Sequence, residues 1–521
     1  MGKVFEQKID RFDKGIINDP RIDDSRYSQL IKNFDAHTYP KKLVPYRSSE
    51  SGDTAASTSK KQNFCVALRT GTTYSLYALG VKSGADTAEV LYKNLTQASA
   101  NDLIDGGWQA TGAAAKYQSA SGVTNFNLFV YYAKVGRIFG AKAGTTIWVY
   151  DPAGSADFLE DGTGNSRSIT YTNIAQGLVH SKDDILYIPY DNKIAKNDNG
   201  SWTNTALTLP AHFYITSICE YGNFLAIACA PLSGIGSSRV FLWDRDASNT
   251  VLTESIDFGE GNLQILEEVE GHLIGISKQG IGESGQTNKF KGQITIRQYS
   301  GGVAEVLKTF ISEGNDVVLP IFKQKVDHFL YFLMDISIAG SSADYLHQGL
   351  WKIGRVSSDT PFALTFDRNV NNNVAGTYVM KAFQVVGDYV FLSYTTSGTF
   401  ALDKTNNNET WVAGNFSYYD SQIFNLGDSS IIKQLKGATI FTEALGGTQS
   451  IVLAYKKDED ITSGSASWTT LFTLTTANSL SFSVSSDVEF KEIQFRITSE
   501  KGTKAILGFK FKAEPISKDI Y

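Results

Sequence analysis

Histidines and cysteines are the first candidates for chemistry in this chain. No two of the six histidines, His37, His180, His212, His272, His328 and His347, have the HxxxH or HExxH spacing that brings two ring nitrogens to one metal ion. The three cysteines form no CxxC pair, and the chain has neither a GxSxG elbow nor a phosphate-binding P-loop. The sequence therefore predicts no metal, no cofactor and no catalytic nucleophile.

Glycoside hydrolysis is the enzyme class that deserves a separate test. The segment Asp198–Trp202 is one residue short of a sialidase Asp-box, which is a structural hairpin even when complete. Paired catalytic carboxylates cannot be singled out among 54 acidic residues. The arginines that could hold a substrate carboxylate, Arg137, Arg239, Arg297 and Arg355, fall at different points of the repeat described below. We expect a non-enzymatic protein, with a degenerate sialidase-like glycosidase as an alternative that turnover of a fluorogenic glycoside would reveal.

A recurring hairpin organises the sequence around these residues. It is clearest from Ile215 to Asp246, where two apolar runs flank the turn Tyr221-Gly222-Asn223-Phe224 and a third run ends at Trp243. Gly and Asn tolerate the positive φ of a two-residue turn, so such a turn fixes the strand register. Taking one position per hairpin as equivalent gives steps of 48, 39, 48, 57 and 60 residues between Ile138, Leu186, Leu225, Leu273, Leu330 and Val390.

Strand-built periods of about 40 to 50 residues are typical of β-propeller blades. A further unit at Phe64 to Leu79 brings the predicted count to seven. Each hairpin is followed by another apolar strand, namely Thr146–Tyr150, Val240–Trp243, Ile294–Tyr299, Leu350–Ile353 and Thr399–Leu402. The sequence therefore predicts an all-β chain with a propeller of seven blades, in preference to a generic all-β protein with many hairpins.

The composition of the chain bears on nucleic-acid binding, membrane insertion and disulfide bonds. The net charge of −6 gives no electrostatic case for a nucleic-acid-binding patch. No apolar run reaches the roughly 18 residues of a membrane helix, and the first residues lack a signal-peptide core, so we expect folding in a cytoplasm. The turn at Gly222-Asn223 places Cys219 opposite Ala226, out of register for a bridge to Cys229, and with Cys65 these cysteines are expected to be small buried apolar residues.

Three parts follow along the chain. Residues 1–62 are predicted to be an extended arm and linker with isolated hydrophobic residues along it and one short helix at Asp24 to Asn33. Residues 63–412 form the propeller, with inserted segments between Leu79 and Phe126 and at Ile338 to Gln348. Residues 413–521 contain seven runs at 8 to 15-residue spacing, several of them alternating, which predicts a C-terminal antiparallel β-sandwich with one buried and one solvated face per sheet.

The two ends carry a resemblance to a known class. An element written FxxGIxxDPR and a second written FDxxTxPxxLxPYR resemble the start of virion proteins of tailed bacteriophages. Their matching residues here are Phe12, Gly15, Ile16, Asp19, Pro20 and Arg21, then Phe34, Asp35, Thr38, Pro40, Leu43, Pro45, Tyr46 and Arg47. The stretch from Ser421 to Phe511 is similar to β-sandwiches appended to phage tail components, through Lys433, Trp468, Phe490, Lys491, Ile493, Gln494 and Phe495.

The resemblance implies a structural part of a phage tail, such as a nozzle, tail tip or adsorption apparatus. The expected location is the virion, after synthesis in the cytoplasm of a bacterial host. Expected partners are other copies in a ring and other tail proteins, and the arm is expected to clamp a neighbour through Phe12, Ile16, Phe34, Asp35, Pro40, Leu43, Pro45, Tyr46 and Arg47. A host-glycan-binding adhesin is the alternative from another class, with Trp108 and Trp468 as candidate sugar contacts or as packing residues.

Overall fold

The computed structural model describes residues 4 to 516 with gaps. The gaps are 13, 17–20, 22–23, 27, 37–38, 40, 47–48, 52–58, 71–72, 83–86, 99–101, 106–108, 111–116, 120–126, 143–145, 151–158, 161–166, 235, 247, 249–251, 280–291, 312–319, 321, 335–348, 356–357, 369–377, 388, 397–398, 406–416, 447–448, 463–466, 476–480 and 501–503.

The described chain is almost entirely β-strand. Its first strands are β1 (Phe5–Ile9), β2 (Ser28–Lys32), β3 (Phe34–Asp35), β4 (Val44–Pro45) and β5 (Ser49–Ser51). Then come β6 (Ser59–Thr70), β7 (Thr73–Lys82), β8 (Thr87–Ala98), β9 (Asp102–Asp105), β10 (Gln109–Ala110), β11 (Tyr117–Ser119), β12 (Phe129–Tyr132), a 3₁₀ turn (Ala133–Val135), β13 (Arg137–Lys142), β14 (Thr146–Tyr150), β15 (Leu159–Glu160), β16 (Arg167–Ser168), β17 (Leu178–His180), β18 (Ile185–Tyr190), β19 (Lys193–Asp198), β20 (Ser201–Thr208), β21 (Phe213–Tyr221), β22 (Phe224–Pro231), β23 (Ser237–Trp243) and β24 (Glu254–Glu260).

The second half continues in the same way. Its elements are β25 (Asn262–Val269), β26 (His272–Gln279), β27 (Gln293–Tyr299), β28 (Glu305–Ile311), β29 (Lys323–Val326), β30 (Phe329–Met334), β31 (Gly349–Gly354), β32 (Ala363–Arg368), β33 (Tyr378–Val386), β34 (Tyr389–Thr396), β35 (Thr399–Thr405), β36 (Ser417–Phe424), β37 (Lys433–Thr442), β38 (Ser450–Lys457), α1 (Glu459–Thr462), β39 (Thr469–Leu474), β40 (Ser481–Ser485), β41 (Glu489–Phe490), β42 (Ile493–Glu500) and β43 (Ile506–Pro515). Within the described ranges no helix is long and apolar enough to cross a membrane.

The chain divides into two compact units. Unit 1 contains residues 1–49, 340–374 and 406–521, and unit 2 contains residues 50–339 and 375–405. This division differs from the predicted order of arm, propeller and C-terminal domain, because the first 49 residues group with the last 116 or so in unit 1. The predicted strand Leu350–Ile353 is present as β31 but belongs to unit 1, outside the propeller.

Unit 2 consists of antiparallel sheets formed by consecutive strands. They are a first sheet of β6 to β8 with β9, β10 and β11 on β8, a second of β12 to β15 with β16, a third of β17 to β20, a fourth of β21 to β24, a fifth of β25 to β28, the hairpin β29–β30, and a last sheet of β33 to β35 completed by β5. The predicted insertion from Leu79 to Phe126 is wrong in part, since β8 pairs with β7 as an ordinary third strand.

Turn chemistry sets the register of these sheets as predicted. The turns have positive φ at Gly222, Gly271, Asp327 and Gly387, and Tyr221 pairs with Phe224 across the first of them. Every position taken as equivalent is the second residue of the second strand in its hairpin, namely Ile138, Leu186, Leu225, Leu273, Leu330 and Val390. All six are buried, so the repeat read from the sequence is a repeat of core positions.

Cysteine placement also agrees with the sequence. Cys219 pairs with Ala226 and Cys229 with Ile215, and both thiols are free and fully buried. Burial raises the pKa of Cys219 and of Cys229, which makes their thiolates unfavourable. They therefore act as small apolar core residues, as predicted.

Each sheet of unit 2 packs against the next. Mixed apolar cores join the second sheet to the third, the third to the fourth and the fourth to the fifth. Contacts continue from β25 to the β29–β30 hairpin and from that hairpin to β33. Leu76 and Ala78 of the first sheet then pack with Ala382 and Phe391 of the last. Successive sheets packed face to face, with the last against the first, make unit 2 a β-propeller.

Polar side chains on the first strands of these sheets join neighbours that share no backbone ladder. Lys323 on β29 pairs with Glu267 at 2.9 Å and donates to the carbonyls of Ile218 and Leu266. Gln324 donates to the carbonyl of Val385 at 2.9 Å and accepts from its N–H at 2.7 Å. These contacts satisfy inner-strand backbone groups that the sheets themselves leave open.

A buried histidine lies where the third sheet meets the fourth. His180 is 0% exposed, and its Nδ1 accepts from the N–H of Lys182 at 3.3 Å. Around it, Asp183 accepts from Arg245 at 2.7 Å and from Tyr187 at 3.0 Å, and Glu220 accepts from Ser181. Burial, with Arg245 nearby, lowers the pKa of His180 below 6.5 even though Glu220 and Asp183 oppose the shift.

We expect acid to loosen this junction. Because the folded state holds His180 neutral, the unfolded chain binds the extra proton first, and the free energy of unfolding falls as the pH drops below about 6.5. The slope from this one site reaches at most about 1.4 kcal/mol per pH unit. Denaturant titrations across this range should show a shallower pH dependence for His180→Gln than for the parent and for the exposed control His328→Gln. Equal slopes in all three proteins would contradict the assignment.

Unit 1 is built from two large sheets and the two-stranded sheet β3-β4. One runs β31-β32-β2-β36-β42-β38-β39 and the other β1-β43-β37-β40, with β41 on β37. Aromatic rings join the sheets, with Phe495 lying 4.8 Å from Phe511, Phe424 lying 5.1 Å from Phe511, and Tyr419 lying 6.5 Å from Phe509 between ring centroids. The seven strands predicted after residue 413 are all present, as β36 to β40, β42 and β43.

Candidate functional site

The N-terminal segment was the predicted site of assembly, and the structure buries it in its own chain. Phe12, Phe34 and Leu43 are 0% exposed and Ile16 is 6% exposed, all within unit 1. The Phe12 ring meets Tyr419 edge-on at 5.1 Å. The prediction that these side chains clamp a neighbour needs correction, because they have no apolar area left to bury against another subunit.

Strand β2 explains why the segment is held so firmly. It pairs antiparallel with β36 and, at Lys32, parallel with Phe366 of β32, so both of its edges are hydrogen bonded. The helix predicted at Asp24 to Asn33 is wrong, since this pairing and the burial of Leu30 and Ile31 on opposite faces favour an extended strand. Tertiary pairing has overridden a weak local preference.

The FxxGI element has a stereochemical reason for its glycine. Gly15 has φ of 66°, and a Cβ there would lie 2.8 Å from the backbone N and O of Leu364. Ile16 donates its N–H to Leu364 at 3.0 Å, and Ser28 donates its N–H to Gly15 at 2.9 Å. Only glycine allows the chain to pass this close to β32.

Charged pairs fix the rest of the segment. Burial raises the pKa of Asp24, but hydrogen bonds from Lys14 and Arg26 outweigh it and bring the pKa to about 2. Asp35 lies 3.5 Å from the buried ammonium of Lys352, which also lies 5.0 Å from the half-buried Tyr46 ring.

Backbone hydrogen bonds connect the second motif to β43. Leu43 and Ile506 each donate an N–H to the carbonyl of the other at 2.9 Å. Pro45, in β4, is buried and pairs with Phe34.

Some predicted site residues lie outside the described residues: Pro40 and Arg47 of the arm, and Trp108 of the candidate sugar contacts. The other sugar candidate, Trp468, is half-buried. Its ring centroid lies 4.4 Å from the guanidinium of Arg496 and 5.3 Å from the ammonium of Lys456. Stacked cations use this ring as packing surface, the second of the two interpretations given above.

Arg496 itself is a residue that sequence reasoning missed. It forms two hydrogen bonds to Asp420, at 2.6 and 2.7 Å, and its guanidinium also lies 5.0 Å from the Tyr418 ring. Strict alternation in Glu492–Ile497 predicted one solvated face for this strand, but residues 493 to 499 are all buried. The prediction is wrong because protein groups, not water, satisfy the polar face: Asp420 pairs with Arg496, and the carbonyl of Ser421 accepts from Gln494. The sequence did contain a signal for this ion pair: an aspartate and an arginine stand on two strands that each have an apolar face.

Lys433 makes a second missed contact. Its ammonium donates to the carbonyls of Asp428, Ile431 and Lys491, at 2.9 Å for Ile431 and 3.3 Å for Lys491. Burial lowers its pKa, although the carboxylates of Asp428, Asp458 and Glu492 oppose this shift. Lys433, one of the residues that carry the resemblance to phage tail sandwiches, thus connects the loop that contains Asp428 and Ile431 to the loop that contains Lys491.

The residues considered for a sialidase-like site lie on different sheets. Asp198 pairs with Lys134 at 3.1 Å, and its segment forms the β19–β20 turn with positive φ at Asn199 and Gly200. Arg137, Arg239 and Arg297 lie on the second, fourth and fifth sheets, and Arg355 lies in unit 1. No group of three or more potential metal ligands occurs among the residues that the structure describes.

Solved structures similar to this chain include the following two. The Dos1 propeller matches with 9% identity and a TM-score of 0.38, covering 70% of this chain and 96% of that one. Sqt1 of Chaetomium thermophilum matches with 10% identity and a TM-score of 0.39, covering 68% of this chain and 98% of its own. No family model and no curated protein matches the sequence. The propeller fold stands on the sheet order and packing of unit 2.

Removing a buried arm ring tests whether the arm is internal. Phe12→Ala should lower the free energy of unfolding of unit 1 by about 3–5 kcal/mol, because it leaves a cavity against Tyr419. The matched control is Tyr39→Ala, whose ring is 48% exposed and should cost no more than about 0.5 kcal/mol. Denaturant unfolding followed by aromatic fluorescence gives both values. An unchanged stability for Phe12→Ala would contradict an internal role for the arm and would support the prediction that it clamps a neighbour.

The Arg496–Asp420 pair gives a second stability test. Arg496→Met should cost about 3–5 kcal/mol, because it leaves a buried carboxylate without its partner. Adding Asp420→Leu removes that carboxylate and should recover most of the loss. Thermal and denaturant unfolding of the single and double variants measure this coupling. A double variant less stable than the single one would show that the two residues contribute independently.

Proposed function

We propose that this chain is a non-enzymatic structural component of a bacteriophage tail, at the nozzle, tail tip or adsorption apparatus. It works there as a symmetric oligomer beside other tail proteins. The observation that supports the proposal is the use made of the phage-like N-terminal motif. Phe12, Gly15, Ile16, Phe34 and Leu43 each occupy a position in unit 1 that depends on the residue type.

Because each of these motif residues has a specific structural role, the similarity of the short motifs is not well explained by chance. Gly15 is required by its positive φ and its approach to Leu364, and Phe12 fills a core position against Tyr419. Leu43 connects the second motif to β43 by two backbone bonds. A motif whose residues interlock distant parts of one chain is the kind of element that a family of rigid structural subunits shares.

Contacts between subunits then come from surfaces other than the buried arm. Assembly into a ring needs a patch of about 800 Å² per partner, and the buried side chains of the arm cannot provide it. The arm instead holds unit 1 rigid so that its outer surfaces, and those of the propeller, keep a fixed shape for neighbours.

Phage genetics tests the proposal directly. A nonsense mutation early in the coding sequence, grown in a non-suppressing host, should leave filled heads whose tails are missing or incomplete by negative-stain microscopy. Growth in a suppressing host is the control and should restore complete particles. Morphologically complete particles with normal infectivity would refute a tail role. Complete particles that fail to adsorb would instead favour the host-glycan adhesin.

A further inference from the structure

The outer face of the sheet β40-β37-β43-β1 contains a hollow over Gly437. Gly437 pairs with Ser485 on one side and with Lys512 on the other, and Thr439 pairs with Ser483 and Lys510 in the same way. Lys436, Lys510 and Lys512 line the hollow together with the three hydroxyl residues, and its volume is about 260 Å³. The hollow is therefore a depression of about the size of a sugar ring or two, with a mixed polar and apolar lining.

Gly437 lies close against the backbone of β40. A Cβ at this position would lie 2.8 Å from the carbonyl oxygen of Val484, so the backbone of β40 leaves no room for a side chain. The neighbouring row has a second glycine, because Phe441 pairs with Gly508, where a Cβ would lie 2.6 Å from the carbonyl oxygen of Ile9. The Phe441 ring is half-buried and lies 5.9 Å from the ammonium of Lys510.

Charge on this face favours an anion. Glu6 is shared by Lys512 at 3.0 Å and Lys510 at 3.8 Å, while Glu514 lies 3.8 Å from Lys436. Three ammonium groups thus share two carboxylates, and Lys510 and Lys512 divide a single carboxylate between them. On the other side, the hydroxyls of Thr439 and Ser483 are 2.7 Å apart, ready to donate to or accept from a polar ligand.

We propose that this hollow, defined by Lys436, Gly437, Thr439, Ser483, Ser485, Lys510 and Lys512, binds an acidic saccharide. The lysines take the sugar carboxylate, and the serine and threonine hydroxyls take sugar hydroxyls. A sugar carboxylate would give Lys510 and Lys512 a second anionic partner beside the Glu6 that they share, which a neutral sugar cannot do, so the site favours a carboxylate. This binding site differs from the Trp108 and Trp468 positions and does not depend on the tail role.

Calorimetric titration with a short oligogalacturonate tests the site. The full chain should bind it, and a maltooligosaccharide of equal length should bind at least about 10-fold more weakly, since the loss of one charge-assisted contact is worth about 1.4 kcal/mol or more. The double variant Lys510→Gln, Lys512→Gln should lose about 10-fold or more in affinity. Lys504→Gln, at an exposed lysine of the same unit that does not line the hollow, is the matched control and should bind as the parent does.

Ser485→Leu separates a built site from general attraction. It fills the hollow while keeping every lysine, and it sits on an exposed edge position, so folding is preserved. Loss of binding in this variant supports the site. Binding that survives Ser485→Leu, binding that is equal for the neutral sugar, or no binding of oligogalacturonate by the parent would each overturn the proposal. Circular dichroism of every variant confirms that the β structure is intact.

Discussion

The two hydrogen-bonded edges of β2 are the interaction on which unit 1 depends. A strand in the interior of a sheet has partners for its N–H and carbonyl groups on both sides, and β2 finds them on β36 and β32. Those partners lie hundreds of residues away along the chain, so unit 1 is complete only after its separated segments have met. The entropic cost of closing such a long loop grows only slowly with its length, so a well-packed core can offset it.

Sequence reasoning succeeded where the physics is local. A two-residue turn with glycine needs only its own backbone angles, so Gly222, Gly271 and Gly387 identified their hairpins, and the second residue of the strand after each turn is buried. The register of Cys219 against Ala226 came from the same turn. The all-β class and the propeller could therefore be predicted, while the prediction of seven blades remains a prediction.

Sequence reasoning failed where a residue's partner is distant. The segment from Asp24 to Asn33 has no strong period of its own, and β36 decided its conformation. Arg496 stood among alternating residues that normally face water, yet Asp420, Tyr418 and Trp468 enclose it. Lys323 and Lys433 are similar, since each lysine meets carbonyl groups that no spacing along the sequence reveals. A buried charge can be recognised only when its partner's strand is known.

The arm positions other strands of its own chain. Strand β1 pairs with β43 along its whole length and brings Glu6 between Lys510 and Lys512. Leu43 holds the start of β43 at Ile506, so β1 and the second N-terminal motif both act on the strand that carries those lysines. The charge and geometry of the outer face of that sheet therefore depend on the N-terminal segment. A segment that looks like a free arm in sequence is, in the fold, the support on which an exposed surface is built.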